Sequence, residues 1–180
     1  MPATAAPAVS STVGLKNMVL APLLTDTEEA TTYDALQKVA GAIEASVTPQ
    51  NADPDIIYYD DAEGDVLYQD PELSFKTKLA DLPLIIQGMI YNHKIDDNGV
   101  LVRTASDKPG YFAVGFMSEK ANGKFRYVWL YKTRAKPVTE NYQAKEGATI
   151  TRQTGEIEWT AIKRISDGRY QAVADEGENG

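Results

Sequence analysis

The chain has 180 residues, 43% of them hydrophobic, with 18 basic and 26 acidic side chains and a net charge of −8. That is enough apolar sequence to bury roughly 70% of the unfolded surface around one core, which excludes a disordered tail, and the negative balance opposes general adhesion to a phosphate backbone. With no cysteine in the chain, disulfide frameworks, thiolate zinc sites and thiol nucleophiles are closed.

Residues 1–12 read as a flexible arm rich in Ala, Pro and Ser, without the basic start and unbroken apolar run of a secretory signal. No later stretch approaches the ~18 apolar residues of a membrane span. Thr25–Thr32 is a polar loop by composition. Val39, Gly41, Ile43, Ala45 and Val47 then alternate with Ala40, Ala42, Glu44, Ser46 and Thr48, the period of a strand, although such small side chains also suit a helix. Thr48–Asp55 reads as a second polar loop. Ile56–Tyr59 and Val66–Tyr68 are short β signals around an expected turn at Asp61–Gly64. Leu73, Phe75 and Leu79 share one face of an alternating segment, with Ser74, Lys76 and Lys78 on the other, so 73–79 is a half-buried strand.

Asp81 is placed to cap a helix with Pro83 in its first turn. Leu82, Ile85, Ile86, Met89 and Ile90 give that helix an apolar stripe, and it stops before Asp96-Asp97-Asn98-Gly99. Tyr111–Met117 and Phe125–Thr133 flank Asn122-Gly123, the chemistry of a tight hairpin. Ala148–Arg152 and Glu156–Lys163 follow as strands, Asp167-Gly168 as a further turn, and 174–180 as a loose tail. Residues 13–173 therefore read as one mainly β domain, a sandwich or barrel of hairpins flanked by one short α-helix.

Charge is unevenly distributed. Residues 1–72 hold 2 bases and 13 acids, whereas residues 73–180 hold 16 bases and 13 acids. Opposite signs in the two parts can attract within one fold or between neighbouring copies.

No seat of catalysis is visible. His93, the only histidine, follows the expected helix, where a charged surface imidazole suits the helix dipole; its nearest carboxylates in sequence are Asp96 and Asp97, and no nucleophile elbow accompanies it. Asp60, Asp61, Glu63 and Asp65 are dense enough to attract a cation but lack calcium-loop spacing, so a solvated acidic turn is the simpler reading. Gly110 and Gly115 do not open a phosphate loop. Neither a metal nor a cofactor is expected. In Lys120–Lys136, basic residues interleave with Tyr127, Trp129 and Tyr131 as on a nucleic-acid stacking platform. Because Val128 and Leu130 occupy the opposite face, an aromatic core or a subunit interface is the preferred assignment for those three.

Several segments together resemble the major tail proteins of long, flexible, non-contractile phage tails. They are Tyr58-Tyr59-Asp60-Asp61 entering an acidic turn, Leu73-Ser-Phe75 leading to Asp81-Leu82-Pro83, and the Leu84–Gly88 helix. Asp97-Asn98-Gly99, Tyr111–Phe116, the Lys124–Lys132 strand with Tyr127-Val-Trp-Leu-Tyr131, Thr149–Arg152, Glu156–Arg164 and Asp167-Gly168 complete the order. The likeness spans about Val13 to Val173, and the Ala- and Pro-rich start departs from it.

The resemblance implies a structural virion protein without enzymatic activity. Six copies would close into a ring whose inner strands form one barrel, and rings would stack into the tail tube, assembled in the host cytoplasm. Its partners would be itself, a tape-measure protein, tail-terminator and tail-tip proteins, and double-stranded DNA passing without specific binding. Glu44, Asp60, Asp61, Glu63 and Asp65 become candidate channel residues, since carboxylates on the wall repel phosphates. The competing class is a β-sandwich adhesion module that stacks sugars on Trp129, Trp159 and neighbouring tyrosines.

Overall fold

The structure, a computed structural model, describes residues 10–50, 55–59, 62–67, 72–138 and 155–177, with backbone alone for 50, 55–59 and 62–67. Along the chain it forms β1 (Thr12–Asp26), β2 (Thr31–Tyr33), β3 (Gln37–Lys38), β4 (Ala42–Gln50), β5 (Asp55–Tyr59) and β6 (Ala62–Leu67). Then come β7 (Glu72–Leu79), α1 (Leu84–Tyr91), β8 (Lys94–Ile95), β9 (Leu101–Val102), β10 (Phe112–Lys120), β11 (Phe125–Ala135), β12 (Gly155–Ala161) and β13 (Gln171–Asp175). The fold is mainly β, with one short helix among the described residues.

The large antiparallel sheet runs β2-β1-β10-β11-β12-β7-β4, with β3 added beside β1 and β13 beside β11. β11 organises it. Its first half, Arg126–Leu130, pairs with β13, and Thr133–Ala135 pair with β12 along the same edge. One long strand thus belongs to two halves of the sheet, β1-β10-β11-β13 and β11-β12-β7-β4. The halves fold over a common core, because Phe75 of β7 lies parallel to Phe116 of β10 with ring centroids 5.8 Å apart. Two strands intervene between β7 and β10 in the sheet order, so that contact requires the sheet to turn back on itself. Leu20, Leu79, Val114, Leu130, Ile157 and Trp159 fill the space between.

Alternation in β7 is observed as the sequence predicts, with Leu73, Phe75, Thr77 and Leu79 buried. The β10–β11 hairpin also forms: Glu119 pairs with Phe125, and Gly123 takes the φ of +79° that its turn requires. Other expectations need correction. The strand assigned to 39–48 begins at Ala42, after a turn in which Gly41 has φ +78°. A bulge between Ala42 and Glu44 then shifts the phase, leaving Ile43 exposed while Ala45 and Val47 pack on the core. Thr25–Thr32 is a hairpin between β1 and β2 rather than a loop. Thr48–Gln50 prolong β4 and Asp55 opens β5. Gly64 lies inside β6, so the reversal falls between the paired Tyr59 and Ala62. Ala174 and Asp175 belong to β13 rather than to a loose tail. The strand expected at Ala148–Arg152 lies outside the described residues.

α1 starts at Leu84 with Pro83 at its N-cap and no side-chain cap, so Asp81 does not cap it. Its buried positions are Gln87, Gly88, Ile90 and Tyr91, whereas Ile85 is 74% exposed. Gly88 sets this rotation: a β-carbon there would lie 3.2 Å from Ile95 Cδ1, so the bare glycine lets the β8–β9 hairpin close onto the helix.

Candidate assembly surfaces

Residues directly opposite in paired strands share a face, and the face of β1-β10-β11-β13 turned away from the core has an apolar middle bordered by the Lys16–Glu119 ion pair. Val19, Gly115, Trp129 and Ala172 make one row across it; Lys16, Met117, Tyr127 and Ala174 make the next. Trp129 lies flat over Gly115, where an added β-carbon would stand 2.0 Å from the indole ring and 3.2 Å from Val19 Cγ2. Only glycine admits this ring, which remains half-buried. Tyr127 is 43% exposed. Tyr131 is half-covered by Arg164, whose guanidinium stands 4.0 Å from its ring centroid. The three aromatic residues singled out from sequence therefore share a face, and it is the outer face rather than the core.

Four of the six cations in Lys120–Lys136 are bound to carboxylates of the protein itself. Asp175 accepts hydrogen bonds from Arg126 Nε at 2.6 Å, Arg126 Nη2 at 2.7 Å and Lys120 Nζ at 2.6 Å. Arg126 first, and then Lys120, hold the Asp175 carboxyl well below the usual carboxylate range. Lys132 Nζ meets Asp26 Oδ2 at 2.6 Å with both side chains almost buried. Burial pushes the Asp26 carboxyl up, but Lys132, the Ile165 N–H and the Thr31 hydroxyl together bring it below its ordinary value. Lys136 Nζ lies 2.6 Å from Glu158 Oε1 and lowers its pKa. A phosphate platform needs free cations; here Lys120, Arg126, Lys132 and Lys136 bind the protein's own carboxylates, and Arg134 Nε donates to the Pro109 carbonyl at 3.1 Å.

The outer face of β12-β7-β4 has the opposite chemistry. Glu156, Lys78 and Glu44 form one cross-strand row, Glu158, Lys76 and Ser46 the next, and Thr160, Ser74 and Thr48 the third. Lys76 approaches Glu156 at 3.8 Å. Glu44 is exposed on this face, opposite Lys78, so it belongs to a charge-balanced ladder rather than to an acidic cluster. Glu63 is paired in backbone register with Tyr58, and Asp65 lies in the irregular part of the β5–β6 hairpin. Asp60 and Asp61 lie outside the described residues.

Trp159 is fully buried; its Nε1 donates to Thr77 Oγ1 at 3.1 Å and its ring meets Phe112 edge-on. It offers no platform to a sugar. His93 is also corrected: its side chain is 14% exposed, and its Nδ1 lies 2.7 Å from Asp107 Oδ2 rather than near Asp96 or Asp97. Asp96 instead accepts the N–H groups of Asn98 and Val100. The Thr104 hydroxyl and N–H, followed by His93, bring Asp107 down to about 2. The pair ties the end of α1 to the 103–110 segment beside a cavity of about 240 Å³.

Among the described residues there is no cluster of metal-ligating side chains, and no helix is long and apolar enough to cross a membrane. No family model and no curated protein matches the sequence.

Proposed function

We propose that this chain is the repeating subunit of the tail tube of a long, flexible, non-contractile phage tail, a structural virion protein that closes into hexameric rings and stacks them into a conduit for DNA. The supporting observation is the apolar row of Val19, Trp129 and Ala172, with Met117 and Tyr127 beside it, on the outer face of the sheet. This apolar middle of the face, with Lys120, Arg126 and Lys132 beside it bound to carboxylates, suits burial against protein. Another copy of the chain is the partner that self-assembly supplies.

In the assembled tube the subunit performs no chemistry. Its partners are other copies, the tape-measure protein, and the tail-terminator and tail-tip proteins, with DNA passing through unbound. The β5–β6 hairpin, carrying Glu63 and Asp65, is the best remaining source of a negative channel wall, and Asp60 and Asp61, next to its strands in sequence, stay candidates with them. At Glu44 the neighbouring Lys78 makes the wall locally neutral. Charge reversal of the hairpin acids to Lys should slow DNA ejection while leaving tubes intact, and unchanged ejection would remove them from the wall. With Trp159 in the core, the sugar-binding alternative loses half of its tryptophan platform.

Negative-stain imaging of the purified protein at high concentration tests the function itself. Rings with an open centre, and short stacks of them, are expected. A particle that stays monomeric at every salt and protein concentration, alone or with tail-assembly factors, would refute it.

A further inference from the structure

Two strands with one paired neighbour, β4 at the end of the sheet order and β13 beside β11, turn backbone groups away from the sheet. Ala80 N–H donates to Gly41 C=O at 2.8 Å. Bonding direction alternates along a strand, so Lys78, Lys76 and Ser74 bond toward Glu44, Ser46 and Thr48 of β4. The backbone groups of Ala45, Val47 and Pro49 therefore turn outward. Proline has no N–H to offer a ladder, and Pro49 occupies a position where none is needed.

The same reasoning applies to β13. Tyr131 N–H donates to Tyr170 C=O at 3.1 Å, and Glu176 N–H donates to Phe125 C=O at 2.8 Å. Ala172 and Ala174 thus bond to β11, and Gln171, Val173 and Asp175 turn their backbone groups outward. No strand lies beyond β4 or β13 among the described residues.

Side chains at the two edges also correspond. Val47 stands opposite buried Phe75, and Val173 opposite buried Val128, so both lie on the core side of their sheets. Val173 is nevertheless 53% exposed because the apolar layer stops there. The other edges are less suited: β2 and β3 have three and two residues, and β1 carries β3 along Val19 and Leu20.

We infer that the β4 edge of one copy pairs with the β13 edge of the next, which brings Val47 beside Val173 and continues both the hydrogen-bond ladder and the apolar layer from subunit to subunit. Because the two edges differ, the contact is head-to-tail and can close a ring. This junction rests on the self-assembly proposed above and assigns the strands that make it.

The chain has no cysteine, so introduced thiols report directly. Val47→Cys/Val173→Cys, with Ala45→Cys/Val173→Cys covering the neighbouring register, should give a ladder of covalent multimers on oxidation, whereas each single variant should remain uncrosslinked. Val47→Pro, which removes an outward N–H and no bond to β7, should stay folded by circular dichroism and form no rings. Rings imaged without cross-links in either double variant would overturn the junction while leaving the tube intact, as would wild-type assembly by Val47→Pro. A crosslinked dimer of Val47→Cys alone would replace it by β4–β4 pairing. Failure of the unmodified protein to form rings would overturn both the junction and the tube.

Discussion

The outer faces of the two half-sheets share one core and one central strand but differ in chemistry. On β1-β10-β11-β13, Trp129 rests on Gly115 beside Val19, Met117 and Tyr127. On β12-β7-β4, glutamates and lysines alternate across three strands. Burial of the inner faces stabilises the fold in both halves, so the outer faces are free to differ. A cross-strand charge ladder is comfortable in water, whereas an aromatic row gains from losing it. The difference separates a surface suited to meeting another protein from one suited to solvent or a channel.

The largest expected effect falls on both faces together. Trp159→Ala removes a fully buried side chain from the core beneath both half-sheets and should cost about 3–5 kcal/mol, lowering the midpoint of urea unfolding without favouring either face. A loss confined to self-association, with stability unchanged, would show that the halves do not share that core. Gly115→Ala acts on the aromatic face alone. The new methyl group occupies the space of the Trp129 ring, so the variant should lose about 1–3 kcal/mol, shift tryptophan emission to the red and weaken self-association. Emission and stability like the parent protein would mean that the ring is not held where it lies.

Acid should produce a smaller, graded effect. Asp26, Asp107, Glu158, Asp167 and Asp175 are held below their ordinary values. The folded state therefore binds fewer protons than the unfolded chain as these groups titrate, and the stability they contribute is present above the ordinary carboxylate range. It is lost as pH falls from about 5 toward 2. Thermal unfolding followed over that window should show a falling midpoint, while contact through the uncharged aromatic row should persist as long as the fold does. The smallest effect is expected on the ladder: Lys78→Glu places three like charges in one row and should cost about 0.5–1 kcal/mol, with partial recovery in high salt. A salt-independent loss would mean that Lys78 acts through packing.

What the sequence disclosed follows from where its period was unbroken. Leu73–Leu79 and the Asn122-Gly123 hairpin kept strict alternation and turn chemistry, so they were readable residue by residue. β1 was missed although it is the longest strand, because Asn17 at φ +50° and the register shift between Lys16 and Val19 move its apolar residues from one phase to another. β13 was missed because Ala172, Val173 and Ala174 carry little pattern, and its anchor, Asp175, reaches Lys120 and Arg126 far away in sequence. The aromatic face was half legible: alternation grouped Tyr127, Trp129 and Tyr131, but only Gly115 and Val19 across the sheet reveal which way they face. The ladder around Glu44 was hidden for the same reason, since Lys78 and Glu156 come from other strands.

The division between the faces can be tested in one experiment: sedimentation velocity of the parent protein, Trp129→Lys and Glu44→Lys at matched concentrations, with circular dichroism to establish that each is folded. Trp129→Lys should self-associate less than the parent protein at every concentration, and Glu44→Lys should assemble like the parent protein. Full assembly by Trp129→Lys, or loss of assembly in Glu44→Lys alone, would contradict the assignment of the aromatic face to subunit contact.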